Sequence, residues 1–171
     1  MVKMTFIITS TYHWLLEALF PRRCLGCKAW GTWCCPKCLA SLTFPRQLHC
    51  LGCGAVTPLG EFCAYCCADH SLTGVWVGLR YANPLIRACI KAYKFDGIQE
   101  LNHTLGGLAA AVLTRFNLPP AWHAVARENW RLIPVPLAKR REKERGFNQA
   151  ELLATSLSEI TSLPILKALI R

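Results

Sequence analysis

Apolar and polar residues alternate in distinct registers along the chain, and the register changes three times. Tyr12–Phe20 sets Trp14, Leu15, Leu19 and Phe20 on one side of a helical wheel, which predicts an amphipathic N-terminal helix ended by Pro21. Residues 21–70 carry no long apolar run and many turn formers, among them Gly26, Gly31, Pro36, Pro45, Gly52, Gly54, Pro58 and Gly60. From Thr73 the period becomes two. Val75, Val77, Leu79 and Tyr81 alternate with Trp76, Gly78 and Arg80, the pattern of a strand. Asn83-Pro84 then marks a helix start, with Asn as cap and Pro at the first helical position. Leu85, Ile86, Cys89, Ile90 and Tyr93 fall on that helix's inner face, so Cys89 reads as a core thiol. A second helix is expected over 99–116, with Leu101, Leu105, Leu108 and Val112 in register and Pro119-Pro120 beyond it. Residues 117–130 read as a loop and Leu132–Pro136 as a short apolar strand whose two prolines place it at an end or edge. After the charged run Lys139–Arg145 a last helix buries Ala150, Leu153, Leu157 and Ile160. Strands alternating with helices predict a parallel α/β sheet.

The cysteines change this picture most. All eleven lie between Cys24 and Cys89, and eight form four Cys-x-x-Cys pairs: Cys24/Cys27, Cys35/Cys38, Cys50/Cys53 and Cys63/Cys66. Two thiolates at that spacing sit on one tight turn and grip a tetrahedral ion, and two such pairs close a structural zinc site. The expectation is therefore a double zinc-ribbon-like module over 21–70 holding two Zn2+, rather than a disulfide framework. Its sparse apolar content requires the metal to supply folding free energy. Pairing stays open between sequential sites (Cys24/Cys27/Cys35/Cys38 and Cys50/Cys53/Cys63/Cys66) and a crossed arrangement. Cys34 and Cys67 adjoin ligand candidates and are possible substitutes; His49 and His70 read as surface histidines. Thiolate–zinc chemistry implies a reducing, cytoplasmic compartment, and no transmembrane segment is expected: Met4–Phe20 is interrupted by His13 and Glu17.

Twenty Lys and Arg against ten Asp and Glu give a formal +10, which eight thiolates and two Zn2+ bring to about +6. An excess of that sign favours anionic partners. Its densest part is Lys139, Arg140, Arg141, Lys143 and Arg145, followed at once by Gly146 and a helix start. Arginines beside free helix-start amides suit a phosphate. A solvated loop whose Glu142 and Glu144 pair with neighbours is the alternative.

Ile133–Leu137 followed by Arg140 or Arg141 and Arg145-Gly146-Phe147-Asn148-Gln149-Ala150-Glu151-Leu152-Leu153-Ala154 resembles the signature of the ComF family. Leu19–Cys27 resembles that family's entry into its zinc module; Tyr81, Pro84, Tyr93–Gly97 and Leu105-Gly106 resemble its middle segment. The resemblance implies three parts: an N-terminal helix (1–20), a double zinc-ribbon-like module (21–70) and a type I phosphoribosyltransferase-like α/β domain (71–171). It also implies association with natural competence, DNA uptake and single-stranded DNA. By position, Arg140, Arg145, Gly146, Phe147, Asn148 and Gln149 would line the pyrophosphate end of a phosphoribosyl pyrophosphate site. The family pattern then calls for an acidic pair that holds the ribose. Here only Glu151 and Glu159 follow Arg145. The α/β domain is thus expected to be incomplete, as in a C-terminally truncated family member, with Mg2+ relevant only to a completed transferase and no catalytic residue assigned. Expected partners are single-stranded DNA, phosphoribosyl pyrophosphate or both, with DNA-uptake proteins beside them. The competing classes are a transferase completed by further sequence and a zinc-ribbon adaptor.

Overall fold

A computed structural model of the chain describes residues 21–116 and 130–171; the expected N-terminal helix and the 117–129 part of the expected loop lie outside them. The chain divides into two compact units, Met1–Leu42 and Thr43–Arg171, with the break between the second and third Cys-x-x-Cys pairs. The described part of the first unit holds a cysteine knuckle, an isolated bridge between Arg23 and Trp30, and the short helix α1 (Pro36–Ala40). Pro36 at the first turn costs α1 no hydrogen bond, since that N–H has no acceptor in a helix anyway.

The second unit opens with a two-stranded antiparallel sheet, β1 (Leu48–His49) and β2 (Val56–Thr57), in register Leu48 with Thr57 and His49 with Val56. Among the described residues a 3-10 turn (Cys67–Asp69) and four α-helices follow: α2 (Pro84–Phe95), α3 (Leu101–Arg115), α4 (Lys139–Arg145) and α5 (Gln149–Thr161). The start of α2 is as the sequence predicts. Asn83 Oδ1 accepts from the N–H of Leu85 at 3.0 Å and of Ile86 at 3.3 Å, and Pro84 takes the first turn. Leu85, Ile86, Cys89 and Tyr93 are buried, which bears out Cys89 as a core thiol.

In α3 the inner face differs from the leucine register. Gly106, Ala110 and Val112 are buried with Leu101, while Leu105 and Leu108 are half-buried. The cause is the crossing with α5. A Cβ placed on Gly106 would lie 2.7 Å from Ser156 Cβ, so the two backbones approach closely through their smallest residues and the leucines flank the crossing. Ser156 is 2% exposed, and among the described residues its buried Oγ has no hydrogen-bond partner. Two opposite outcomes follow. Gly106→Ala gains helix propensity of up to about 1 kcal/mol but overpacks the crossing by about 1–3 kcal/mol, so its thermal midpoint, followed by circular dichroism, should fall. Ser156→Ala deletes an unpaired hydroxyl and keeps the volume, and should leave the midpoint unchanged or raise it.

Two expected strands do not form. Among the described residues, 73–81 makes one antiparallel bridge, Gly74 with Glu61, and 132–136 makes one parallel bridge, Leu132 with Ile165. The observed architecture is helical with one small antiparallel sheet and, among the described residues, without the predicted parallel sheet. A strand exists only where a neighbour accepts its ladder. The N–H of Leu132 reaches Pro164 O and the N–H of Leu166 reaches Leu132 O, both at 2.9 Å, and the ladder stops there. Residues 75–80 are instead fixed sideways. Gly78 lies against Val112, where a Cβ would come within 2.9 Å of Cγ2, and the Trp76 indole N–H donates to Leu59 O.

The charged run, with its seven residues expected as a loop, is the helix α4. Lys, Arg and Glu are good helix formers. Arg140 and Glu144 pair at 2.9 Å one turn apart, and Lys143 and Arg145 stand in the last turn where the macrodipole favours cations. Gly146 ends the helix at φ +78°, a left-handed conformation that glycine adopts freely.

Candidate metal centres

Each group of four cysteines is built on the same six-residue turn. Cys24-Leu25-Gly26-Cys27-Lys28-Ala29 in the first unit corresponds to Cys50-Leu51-Gly52-Cys53-Gly54-Ala55 in the second. In the first, the N–H of Lys28 donates to Cys24 O at 2.8 Å and that of Cys24 to Ala29 O at 2.7 Å. In the second, Gly54 N–H donates to Cys50 O and Cys50 N–H to Ala55 O, both at 2.8 Å. The fifth residue takes positive φ in both, +66° at Lys28 and +78° at Gly54. The second pair of each group then arrives with a hydrogen bond to the first sulfur: Cys35 N–H to Cys24 Sγ at 3.3 Å, and Cys63 N–H to Cys50 Sγ at 3.4 Å.

The result is two closed donor sets, Cys24/Cys27/Cys35/Cys38 and Cys50/Cys53/Cys63/Cys66, each with its four Sγ atoms within 4.8 Å of one another. The pairing is thus sequential, and the crossed arrangement does not occur. Zn–S bonds of about 2.3 Å in a tetrahedron place sulfurs about 3.8 Å apart. The Cys27–Cys35 and Cys53–Cys63 separations, 3.5 and 3.6 Å, match that spacing. Soft thiolates in fours select zinc or iron, and the N–H···S bonds orient the sulfurs as outer-shell donors do. Both groups fit zinc. Gly52 belongs to this fit, since a Cβ there would lie 2.8 Å from Cys66 Sγ.

Within each group the thiols are strongly unequal. Burial pushes Cys24 up, but N–H groups of Cys35, Cys27 and Gly26 aimed at its sulfur outweigh this and lower it to about 6. The Cys63 N–H leads the same effect at Cys50, against burial and with help from Cys53 and Gly52, again to about 6. Cys38 is raised to about 12, chiefly by the sulfurs of Cys35 and Cys27 that accept its proton, and Cys66 to about 12, chiefly by that of Cys63. Each group thus has one sulfur ready to ligate and another that must give up a proton.

Neighbouring donors stay outside. Cys34 is buried beside the first group, and Cys67 Sγ donates to Ala64 O at 3.4 Å. The His49 ring nitrogen Nδ1 lies 3.0 Å from Gly54 O, and His70 stacks on Phe62 with centroids 3.9 Å apart.

The six residues matched to a phosphate loop are divided by the fold. Phe147, Asn148 and Gln149 are buried. Phe147 packs on Tyr93 at 5.5 Å, and Asn148 Oδ1 caps α5 by accepting from Ala150 N–H at 3.0 Å. The Tyr93 hydroxyl, raised to about 12 by burial, donates to Gln149 O at 2.9 Å. Gly146 is the α4 cap and Arg140 is engaged with Glu144. Arg145 alone of the six lines an open hollow of about 660 Å3, with Arg141, Glu144 and the α2 end Lys94-Phe95-Asp96-Gly97. Its Nη1 donates to Gln149 Oε1 at 3.0 Å, and its guanidinium carbon stands 5.3 Å from the centroid of Phe95. Phe95 is 71% exposed. Period and charge did not mark Phe95 as a surface group, although its place at the last helical position, before Asp96-Gly97, carried that signal.

No helix among the described residues is long and apolar enough to cross a membrane. No family model and no solved structure matches the chain. A curated protein does: Competence protein ComFC of Bacillus subtilis (strain 168) is 32% identical over 85 residues, which is 50% of this chain. The match covers 32% of that protein's length. Together with two four-cysteine groups that fit zinc, this similarity relates the chain to the ComF family.

Proposed function

We propose that this is a competence-associated protein that holds single-stranded DNA in the hollow between the α2 end and α4, with both four-cysteine groups serving as structural zinc centres. The observation that carries the reading is an exposed aromatic ring set among cations: Phe95 with Lys94, Arg141 and Arg145. Single strands are bound by such pairs of elements, a cationic track for phosphates and a π-face on which any base stacks. The similarity to a protein named for competence supports the same reading. Zinc–thiolate centres suit the reducing cytoplasm, where incoming strands would be met. The six-residue match to a pyrophosphate loop places a phosphoribosyltransferase-like domain in the same proposal. In that variant Arg145 and the buried Asn148 and Gln149 serve phosphoribosyl pyrophosphate with Mg2+.

Fluorescence anisotropy with labelled oligothymidylate separates the two. Neutralising about three phosphates gives a slope near −2 of log affinity against log salt, at about −0.7 per phosphate for single strands. Alanine at both Arg141 and Arg145 should flatten that slope towards −1. Binding of phosphoribosyl pyrophosphate that requires Mg2+ and blocks the oligonucleotide would favour the transferase variant. Salt-independent or absent oligonucleotide binding would refute the nucleic-acid reading.

A further inference from the structure

A groove at the start of α2 has no role in the proposal above. It measures about 690 Å3 and is lined by Thr43–His49, Leu51 and parts of 75–83, among them Asn83, the α2 cap. Lys94 and Phe95, at the opposite end of α2, line the hollow. Hollow, groove and helix all belong to the second unit. Asn83, Arg87, Lys91 and Lys94 follow one another at spacings of four, four and three residues, so they form one row along the helix. Arg87, Lys91 and Lys94 are exposed, and the buried residues of α2 lie on the opposite face. The helix contains no Asp or Glu. Arg46 and Arg80 are exposed in the lining of the groove, and no acidic side chain lines it. No carboxylate among the described residues pairs with any of these five cations.

Cations spread in a row suit a ligand whose charges are also spread in a row. Twelve residues at about 1.5 Å each make α2 about 18 Å long, the length of about five stacked nucleotides at about 3.4 Å. We infer that a single strand seated in the hollow continues along the exposed face of α2, over Lys91 and Arg87, into the groove at the helix start. The inference rests on the proposed reading of the hollow and adds a second contact to it. Phosphates would meet Lys91 and Arg87 on the helix and Arg80 and Arg46 in the groove. Bases need apolar faces at intervals along such a track. Phe95 is one at the hollow, and Phe44, Leu51 and Val77 line the groove at the other end. Leu51 and Val77 are exposed. An acidic protein segment would use the cations but would leave these faces unmatched.

The test uses the zinc-loaded full chain with oligothymidylates of about four and about twelve nucleotides, within the range of single-strand site sizes. The short strand fills the hollow alone and should show the slope near −2 of log affinity against log salt. The long strand meets four more cations, and at about −0.7 per phosphate its slope should steepen to near −5. Arg87→Ala with Lys91→Ala should remove about 1.4 of that slope, and Arg46→Ala with Arg80→Ala as much again. Both pairs should leave the short strand unaffected and, by circular dichroism, the helix content unchanged. A long-strand slope that stayed near −2, or that either pair left unmoved, would overturn the path and leave the hollow standing alone. A long-strand slope indifferent to Arg141→Ala with Arg145→Ala would instead sink the reading of the hollow, and this inference with it. Displacement of the long strand by an equal concentration of a polyglutamate peptide of equal charge would also overturn the inference, because charge alone would then account for the row.

Discussion

Replacing Cys50 with serine is expected to halve the zinc content of the purified protein and to unfold the β1–β2 hairpin. Cys50 is 1% exposed and joins three things: the sulfur set, the turn that ends at Ala55, and the Cys63 N–H that brings in the second pair. Serine offers a poorer ligand and loses the thiolate that is already present at neutral pH. The hairpin has two residues per strand, and a two-stranded sheet of that size is marginal without the metal. Structural zinc contributes about 10–16 kcal/mol in finger peptides, as much as the whole stability of a typical domain. Loss of one centre should therefore expose residues 43–66 to proteases while α2, α3 and α5 keep their helical signal. Cys67→Ser is the matched control, because that thiol lies outside the donor set. A Cys50→Ser protein that retains two zinc ions per chain would refute the assignment.

The sign of the pH effect follows from the same inequality. Zinc must displace the protons on Cys38 and Cys66, which hold them up to about 12, so affinity falls on acidification by at least about tenfold per pH unit at each centre. Below about pH 6 the Cys24 and Cys50 thiolates take up protons as well, and the dependence steepens. Competition with a chelator at several pH values reads this directly.

How much of this was legible beforehand depends on the range of the interaction concerned. The cysteine centres were legible as pairs because each knuckle is local, and the repeat Cys-Leu-Gly-Cys-x-Ala even contained the pairing. Two equivalent six-residue turns nucleate two equivalent sites, each completed by the next Cys-x-x-Cys along the chain. The α2 start was legible for the same reason, since Asn83 caps amides two and three residues away. What period and composition missed was non-local. Alternation in 75–81 suggested a strand, but a strand also needs a partner along its length: among the described residues only the Val75 N–H finds one, at Gly60 O, and the chain then bends at Leu79. The leucine register of α3 misplaced its inner face because the closeness of Gly106 to Ser156 is set fifty residues away. The α4 run was misjudged for a different reason. Charge density suggested a solvated loop, whereas Arg140–Glu144 spacing and strong helix formers favoured a short helix.

Phe95→Ala is expected to weaken single-stranded DNA binding by about one to two orders of magnitude without changing its salt slope. The ring stands largely in solvent at the last residue of α2, so no packing requirement explains it. Stacking of one base on an aromatic side chain is worth about 1–3 kcal/mol, which corresponds to about 5- to 150-fold in affinity. The slope counts phosphates, and on the proposed reading those would be met by Lys94, Arg141 and Arg145, which line the hollow and remain. Arg145 adds a second consequence. Its guanidinium already faces the Phe95 ring and is tied to Gln149 Oε1, so ring and cation are held together before any strand arrives. Arg145→Lys keeps the charge but loses the planar contact and the directed bond to Gln149. It should preserve the salt slope and still lose several-fold in affinity. Phe95→Tyr, which retains the π-face, should bind nearly as the parent does. If Phe95→Ala and Phe95→Tyr lost affinity equally, the ring would not be a stacking platform, and binding in the hollow would be electrostatic alone.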